Sequence, residues 1–167
     1  MKPILVVILL LLSACAQAPA QKQEAWYGLG RWFTPESEVQ VAEAGRSQQC
    51  HTEDTESKVR LFVSLAEVRA WEAGSGVSVA GEQAAESAYA LVEMGRRNTG
   101  GYGIAISREA GKRGDELWLR ATYVSPAPGR MVTQALTAPC VLVSLPQAFR
   151  KLNVQDQSGQ VRAKMGK

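Results

Sequence analysis

Between residues 115 and 124 the side chains alternate without a lapse: Leu117, Leu119, Ala121 and Tyr123 are inward candidates, while Trp118, Arg120 and Thr122 fall between them. A repeat of two residues belongs to extended chain with one buried face, and it excludes a helix over this stretch. Tyr102, Ile104 and Ile106 repeat the pattern against Gly103, Ala105 and Ser107, and apolar runs at 88–94 and 141–145 add two more expected strands. The punctuation agrees. Asn98-Thr99-Gly100-Gly101-Tyr102 reads as a hairpin corner, because two adjacent glycines tolerate positive φ. Residues 108–114, rich in Gly, Lys and Arg, read as a turn, and Ser125-Pro126-Ala127-Pro128-Gly129-Arg130 and Thr137-Ala138-Pro139-Cys140 mark two further corners.

Around this β-rich half the signals are mixed. Val39 and Val41 share one face of a strand expected over 38–44, and 59–63 is a short apolar strand. Ser64-Leu65-Ala66-Glu67 then forms a capping box that starts a helix, with Leu65, Val68 and Trp71 as its buried stripe and Val63 placed to staple onto Val68. Gly74 and Gly76 end it. Residues 74–86 read as a loop, with a helical turn near 83–86. At the far end, 149–155 and 160–163 flank Asp156-Gln157-Ser158-Gly159, the composition of a hairpin. One helix among about seven short strands at hairpin spacing predicts an α+β fold, mostly antiparallel β, as a sandwich or an open barrel with the helix packed on it.

The first residues carry a different message. Met1-Lys2, the apolar run from Ile4 to Leu12 and the ending Leu12-Ser13-Ala14-Cys15 describe a secretory signal too short to span about 30 Å of hydrocarbon as a helix. Its last four residues match a lipobox, which predicts cleavage after residue 14 and a lipid on Cys15; an ordinary cleaved leader is the alternative. Several acyl chains hold a protein firmly to a bilayer, at about 0.8 kcal/mol per buried CH₂. The expected organisation is a lipoprotein signal peptide at 1–14, a flexible tether at 15–25, one globular domain at 26–163 and a frayed tail at 164–167. Trp26, Tyr27, Trp32 and Phe33 make the start of that domain aromatic, as a first strand or as a partner-binding edge. Ala16 and Gln17 after the cysteine are the pattern of sorting to the outer membrane, on its periplasmic face.

Once Cys15 is assigned to lipid, Cys50 and Cys140 remain, and an exported protein sits where disulfides persist. A Cys50–Cys140 bond is therefore expected. Cys50 and His51 beside two acids invite a metal or thiol reading, but adjacent residues of extended chain face opposite ways and there is no second histidine. No metal or cofactor is expected, and a formal charge of only +3 at pH 7 does not point to a nucleic-acid partner.

The Thr99-Gly100-Gly101-Tyr102 turn, the Ser125-Pro126-Ala127-Pro128-Gly129 loop and the Thr137-Ala138-Pro139-Cys140 entry to a last strand, in that order, resemble the C-terminal domain of the protease-complex subunit PrcB family. The resemblance covers roughly 88–145. It implies company rather than chemistry: a bacterial lipoprotein that associates with or stabilises an envelope protease, or another envelope protein, without being an enzyme. Asn98, Thr99, Gly100, Gly101 and Tyr102, with Ser125, Pro126, Pro128, Gly129 and Arg130, are the candidate partner-binding residues. The same glycines and prolines also serve plain turn geometry, with Tyr102 in the core.

Catalysis finds little support in the residues. Nucleophilic hydrolysis needs an oriented base, and the chain has His51 as its one histidine, no Gly-x-Ser-x-Gly elbow and no His-Glu-x-x-His helix. Glu93, Glu109, Asp115 and Glu116 lie near expected turns as possible carboxylate partners or as solvated hairpin ends. An alternative to the subunit reading is a peptidase inhibitor, because Asn98–Tyr102 looks distantly like the Asn-Pro-Thr-Thr-Gly-Tyr loop of chagasin-type cysteine-protease inhibitors, although no proline follows Asn98.

Overall fold

The computed structural model describes residues 35–50 and 53–166. The leader, Cys15, the tether, the aromatic stretch from Trp26 to Phe33 and His51 lie outside the described residues. Among the described residues, two sheets and one helix make three layers. One sheet joins β1 (Ser37–Gln40), β6 (Glu109–Arg113), β7 (Glu116–Val124), β9 (Lys151–Gln155) and β10 (Val161–Met165) in that order, with β5 (Gly103–Ile106) also on β7. The other runs β2 (Ala42–Ser47), β8 (Cys140–Leu145), β4 (Ala88–Glu93) and β3 (Lys58–Phe62). The fold is mostly antiparallel β with one helix, α1 (Leu65–Ser75), in an open sandwich.

The alternation in β7 sets the core between the sheets. Leu117, Leu119 and Ala121 meet Leu152 and Val154 of β9, and across the gap Ala90 and Val92 of β4 and Val141 and Val143 of β8. The odd-numbered partners on β4 face away from that core. Tyr89 and Leu91, with Leu142 of β8, close on Phe62, Val68 and Trp71 beneath α1. Every residue of β4 is buried because both faces are covered, which explains why its sequence is a continuous apolar run where β7 alternates.

The helix starts as expected and differs in detail. Ser64 accepts the Glu67 amide at 3.3 Å, but the Glu67 carboxylate takes the Val63 N–H at 2.9 Å, one residue before the cap. Val63 stays 59% exposed and outside the cluster around Val68, so no hydrophobic staple forms. Gly76 closes the helix with φ of 70°. Glu72, buried in the last turn, accepts the Val79 and Ala80 amides at 2.7 Å each and pairs with Arg69 at 2.8 Å. Burial pushes its carboxyl up, but these donors outweigh that and hold it below the usual range. Residues 77–80 are thus tied to the helix, and the turn that follows is closed by Ala84 N–H on the Gly81 carbonyl rather than falling at 83–86.

Four other expectations change. The strand expected over 38–44 is two, β1 and β2, because the chain passes from one sheet to the other at buried Val41. Residues 108–114 are not a turn: 109–113 form β6, whose low intrinsic β preference is overcome by pairing on both edges, with β1 and β7. Asn98–Tyr102 is not a hairpin, since β4 and β5 lie in different sheets and the corner carries the chain across the sandwich. β7 and β9 are parallel, joined through β8 in the opposite sheet. The hairpin around Asp156 forms as read, and β10 continues to Met165, pairing Lys164 and Met165 where a frayed tail was expected.

Candidate functional site

The two stretches singled out in the sequence come together at one end of the sandwich. The fifteen residues between β7 and β8 form no strand or helix of their own, and loops of that length in a compact domain usually serve a function. Their first part is a tight turn. Arg130 N–H donates to the Ala127 carbonyl at 3.1 Å, with Pro128 and Gly129 central and Gly129 at φ of 76°. That is the type II geometry, in which proline presets the first central residue and glycine takes the positive φ of the second.

Their last part is fastened on several sides. Arg97 and Thr137 exchange backbone bonds at 2.7 and 3.0 Å, Ala138 bonds Gln48 and Cys50 at 2.9 Å, and the Pro139 carbonyl accepts Met94 N–H at 2.8 Å. Cys140 is joined to Cys50 by a disulfide, with the Cα atoms 5.9 Å apart. Between these ends, Thr133 is held by Gly100 N–H on its carbonyl at 2.8 Å. Gly101, at φ of 84°, lies so close that a Cβ there would stand 3.1 Å from both Pro126 and Val132. Any side chain at 101 would therefore meet backbone strain and a filled space together.

This arrangement divides the candidate residues. Thr99 accepts the Thr137 hydroxyl at 2.8 Å and Gly100 serves Thr133, so the corner braces the long loop. Tyr102 packs against the main core under the Arg97 guanidinium, 5.8 Å from its ring centre. The Arg97 guanidinium is engaged within the chain, since it also donates to the Thr55 and Met94 carbonyls at 2.8 Å. Asn98, Gly101, Ser125, Pro128, Gly129 and Arg130 reach the surface, and of these Gly101, Ser125 and Arg130 line a cleft of about 480 Å³ together with Pro126 and Met131.

Met131, Val132 and Leu136 were not among the sequence candidates. Met131 is 97% exposed, directly after the turn, and Leu136 is 58% exposed at the other end. The available signal was an apolar Met-Val pair after Pro-Gly-Arg that no periodic element claims. Exposed apolar side chains on a braced loop can bury against a partner with little ordering penalty.

The four carboxylates near expected turns are separately engaged. Glu109 faces Arg120 at 3.8 Å, Asp115 faces Arg150 at 3.6 Å, and Glu116 accepts the Asn153 amide at 2.7 Å. Glu93 is buried beside Arg60, 3.8 Å away, and its Oε2 has no hydrogen-bond partner. Burial pushes its carboxyl up against the pull of Arg60 and Lys58. It lies on the α1 side of β4, opposite Cys140 in the register. Among the described residues, no group of three or more His, Cys, Asp or Glu could hold a metal ion.

Comparisons with curated proteins and with solved structures return no match. Residues 88–146, which carry both stretches of the surface and the strands that frame them, match the family model described as PrcB C-terminal, so this segment of the chain is similar to that domain.

Proposed function

We propose that this chain is an accessory subunit of an envelope protease complex, held to the membrane by a lipid on Cys15 and acting by binding, not by catalysis. The observation that carries the reading is the coincidence of the PrcB C-terminal segment with the braced surface, since both stretches of that surface lie within 88–146. A surface made from irregular chain on a rigid sheet is suited to recognition. The lipobox around Cys15 supports a periplasmic, outer-membrane location, where a Cys50–Cys140 disulfide persists.

Crosslinking in intact envelopes followed by capture of the full chain tests this. A protease is expected in the captured fraction, depleted when exposed Asn98 and Ser125 are both replaced by arginine (N98R/S125R). Captured material without a protease would contradict the subunit reading, and failure of labelled palmitate to join Cys15 would contradict the anchor. The inhibitor alternative gains from one observation, the exposure of Met131, but it moves from Asn98–Tyr102 to the neighbouring loop. The backbone of Thr99 and Gly100 is already bonded within the chain.

A further inference from the structure

We propose that residues 130–136 enter the substrate cleft of an endopeptidase in the manner of a substrate, with the Met131 side chain in an apolar primary pocket. This rests on the protease-subunit reading and names the part of the protease that is touched. Four observations converge on it. Met131 is the most exposed large apolar side chain among the described residues, at 97%, and it follows a closed type II turn that projects it from the sheet. The chain from 131 to 135 is in neither helix nor strand, and apart from the Val132 carbonyl, which takes the Gln134 side-chain amide at 3.3 Å, and the Thr133 carbonyl, its backbone is offered for strand addition along a cleft wall. The main-chain bond that ties it to the corner is Gly100 N–H to Thr133, on the inner side, and the Val132 side chain packs beside Gly101. Lastly, the segment is clamped at both ends, by the Pro128-Gly129 turn and by the Thr137–Cys140 fastening with its disulfide.

An endopeptidase cleft is the occupant that this shape suits. Such a cleft takes extended backbone and reads it chiefly through one side chain in a deep pocket. An unbranched thioether with three rotatable bonds adapts to an apolar pocket and leaves polar walls unsatisfied, so a cleft that selects cations or anions is disfavoured. Pre-ordering is what separates an inhibitor from a good substrate here. A loop already in its bound shape loses little entropy on docking, and clamped ends hold the Met131–Val132 peptide together in the cleft, where a flexible segment would separate after hydrolysis. No bond is broken or formed in the proposed complex.

The test uses the full chain with a chymotrypsin-like and a subtilisin-like serine endopeptidase, both of which have apolar primary pockets. Competitive inhibition of at least one is expected, weakened at least 100-fold by Met131→Asp and left within about threefold by Glu82→Ala, at an exposed position away from the loop. Thermal unfolding should be the same for Met131→Asp as for the native chain, because the side chain is solvent-exposed. Rapid cleavage after Met131 without inhibition would overturn the proposal, as would no effect on either enzyme. The envelope crosslink separates this from the broader reading. If Met131→Asp still captures the protease with its active site open to a small substrate, the inference falls and the subunit reading stands; if neither form captures a protease, both fall.

Discussion

The β4–β8 pair and the loop that enters β8 are adjacent in the chain and opposite in physics. In the pair, alternate side chains feed two different cores, so its apolar positions are held by packing on both faces. In the loop, residues 131–136 contribute Met131 and Leu136 to solvent while the chain on either side is bonded down. The contrast teaches that irregularity here is not looseness. Tight fastening of a segment with outward apolar side chains is what a recognition loop needs, and the sealed pair is the frame that supplies it.

Substitutions should separate the two regions sharply. Leu142→Ala, at a position with no exposure, should lose about 2–5 kcal/mol of stability in denaturant unfolding, from lost transfer energy and a cavity. Replacing both cysteines by serine should come next, at about 2–4 kcal/mol, with loop 125–139 exchanging its amides faster than β4 does. A smaller loss than that of Leu136→Ala would break the idea that the disulfide is part of the frame. Gly101→Ala should follow at about 1–3 kcal/mol, since it meets both positive φ and a 3.1 Å contact.

Glu93 sharpens the comparison from inside the frame. Its folded carboxyl is held above the unfolded value by burial, so the protonated form fits the fold better, and the native chain loses stability as pH rises through the folded pKa. Glu93→Gln should therefore be more stable than the native chain at pH 8, by about 1 kcal/mol, with the advantage gone below the unfolded pKa near about 4.3. Thermal melts at four or five pH values would show it, and an advantage that grew on acidification would refute it. The smallest effect belongs to Leu136→Ala, 58% exposed, which should change stability by less than about 0.5 kcal/mol.

What could be read in advance followed from burial. β7 was legible because one face meets the core and the other does not, and β4 and β8 were legible as apolar runs. β6 was not, since Glu109, Gly111, Lys112 and Arg113 carry no strand pattern and are extended only because β1 and β7 lie on either side. The sheet change at Asn98–Tyr102 was hidden for a related reason. Glycines announce a corner but not which sheet the next strand joins, which long-range packing decides. For the surface, the sequence pointed to both stretches and missed Met131 and Leu136, because an exposed apolar residue has no neighbour in the chain to make a pattern with. The role of Glu72 was equally silent, as its partners at Val79 and Ala80 meet it only after the loop folds back.

Amide hydrogen exchange on the full chain, free and bound to the protease captured from crosslinked envelopes, bears most directly on the central claim that the braced loop is where a protein partner is met. In the free chain β4 and β8 should exchange last and residues 131–135 early; on binding, the largest gain in protection should fall on 131–136, with a smaller one at 98–101. Unchanged exchange across 125–139 in a saturated complex, with protection appearing on β1, β10 or α1 instead, would contradict the account.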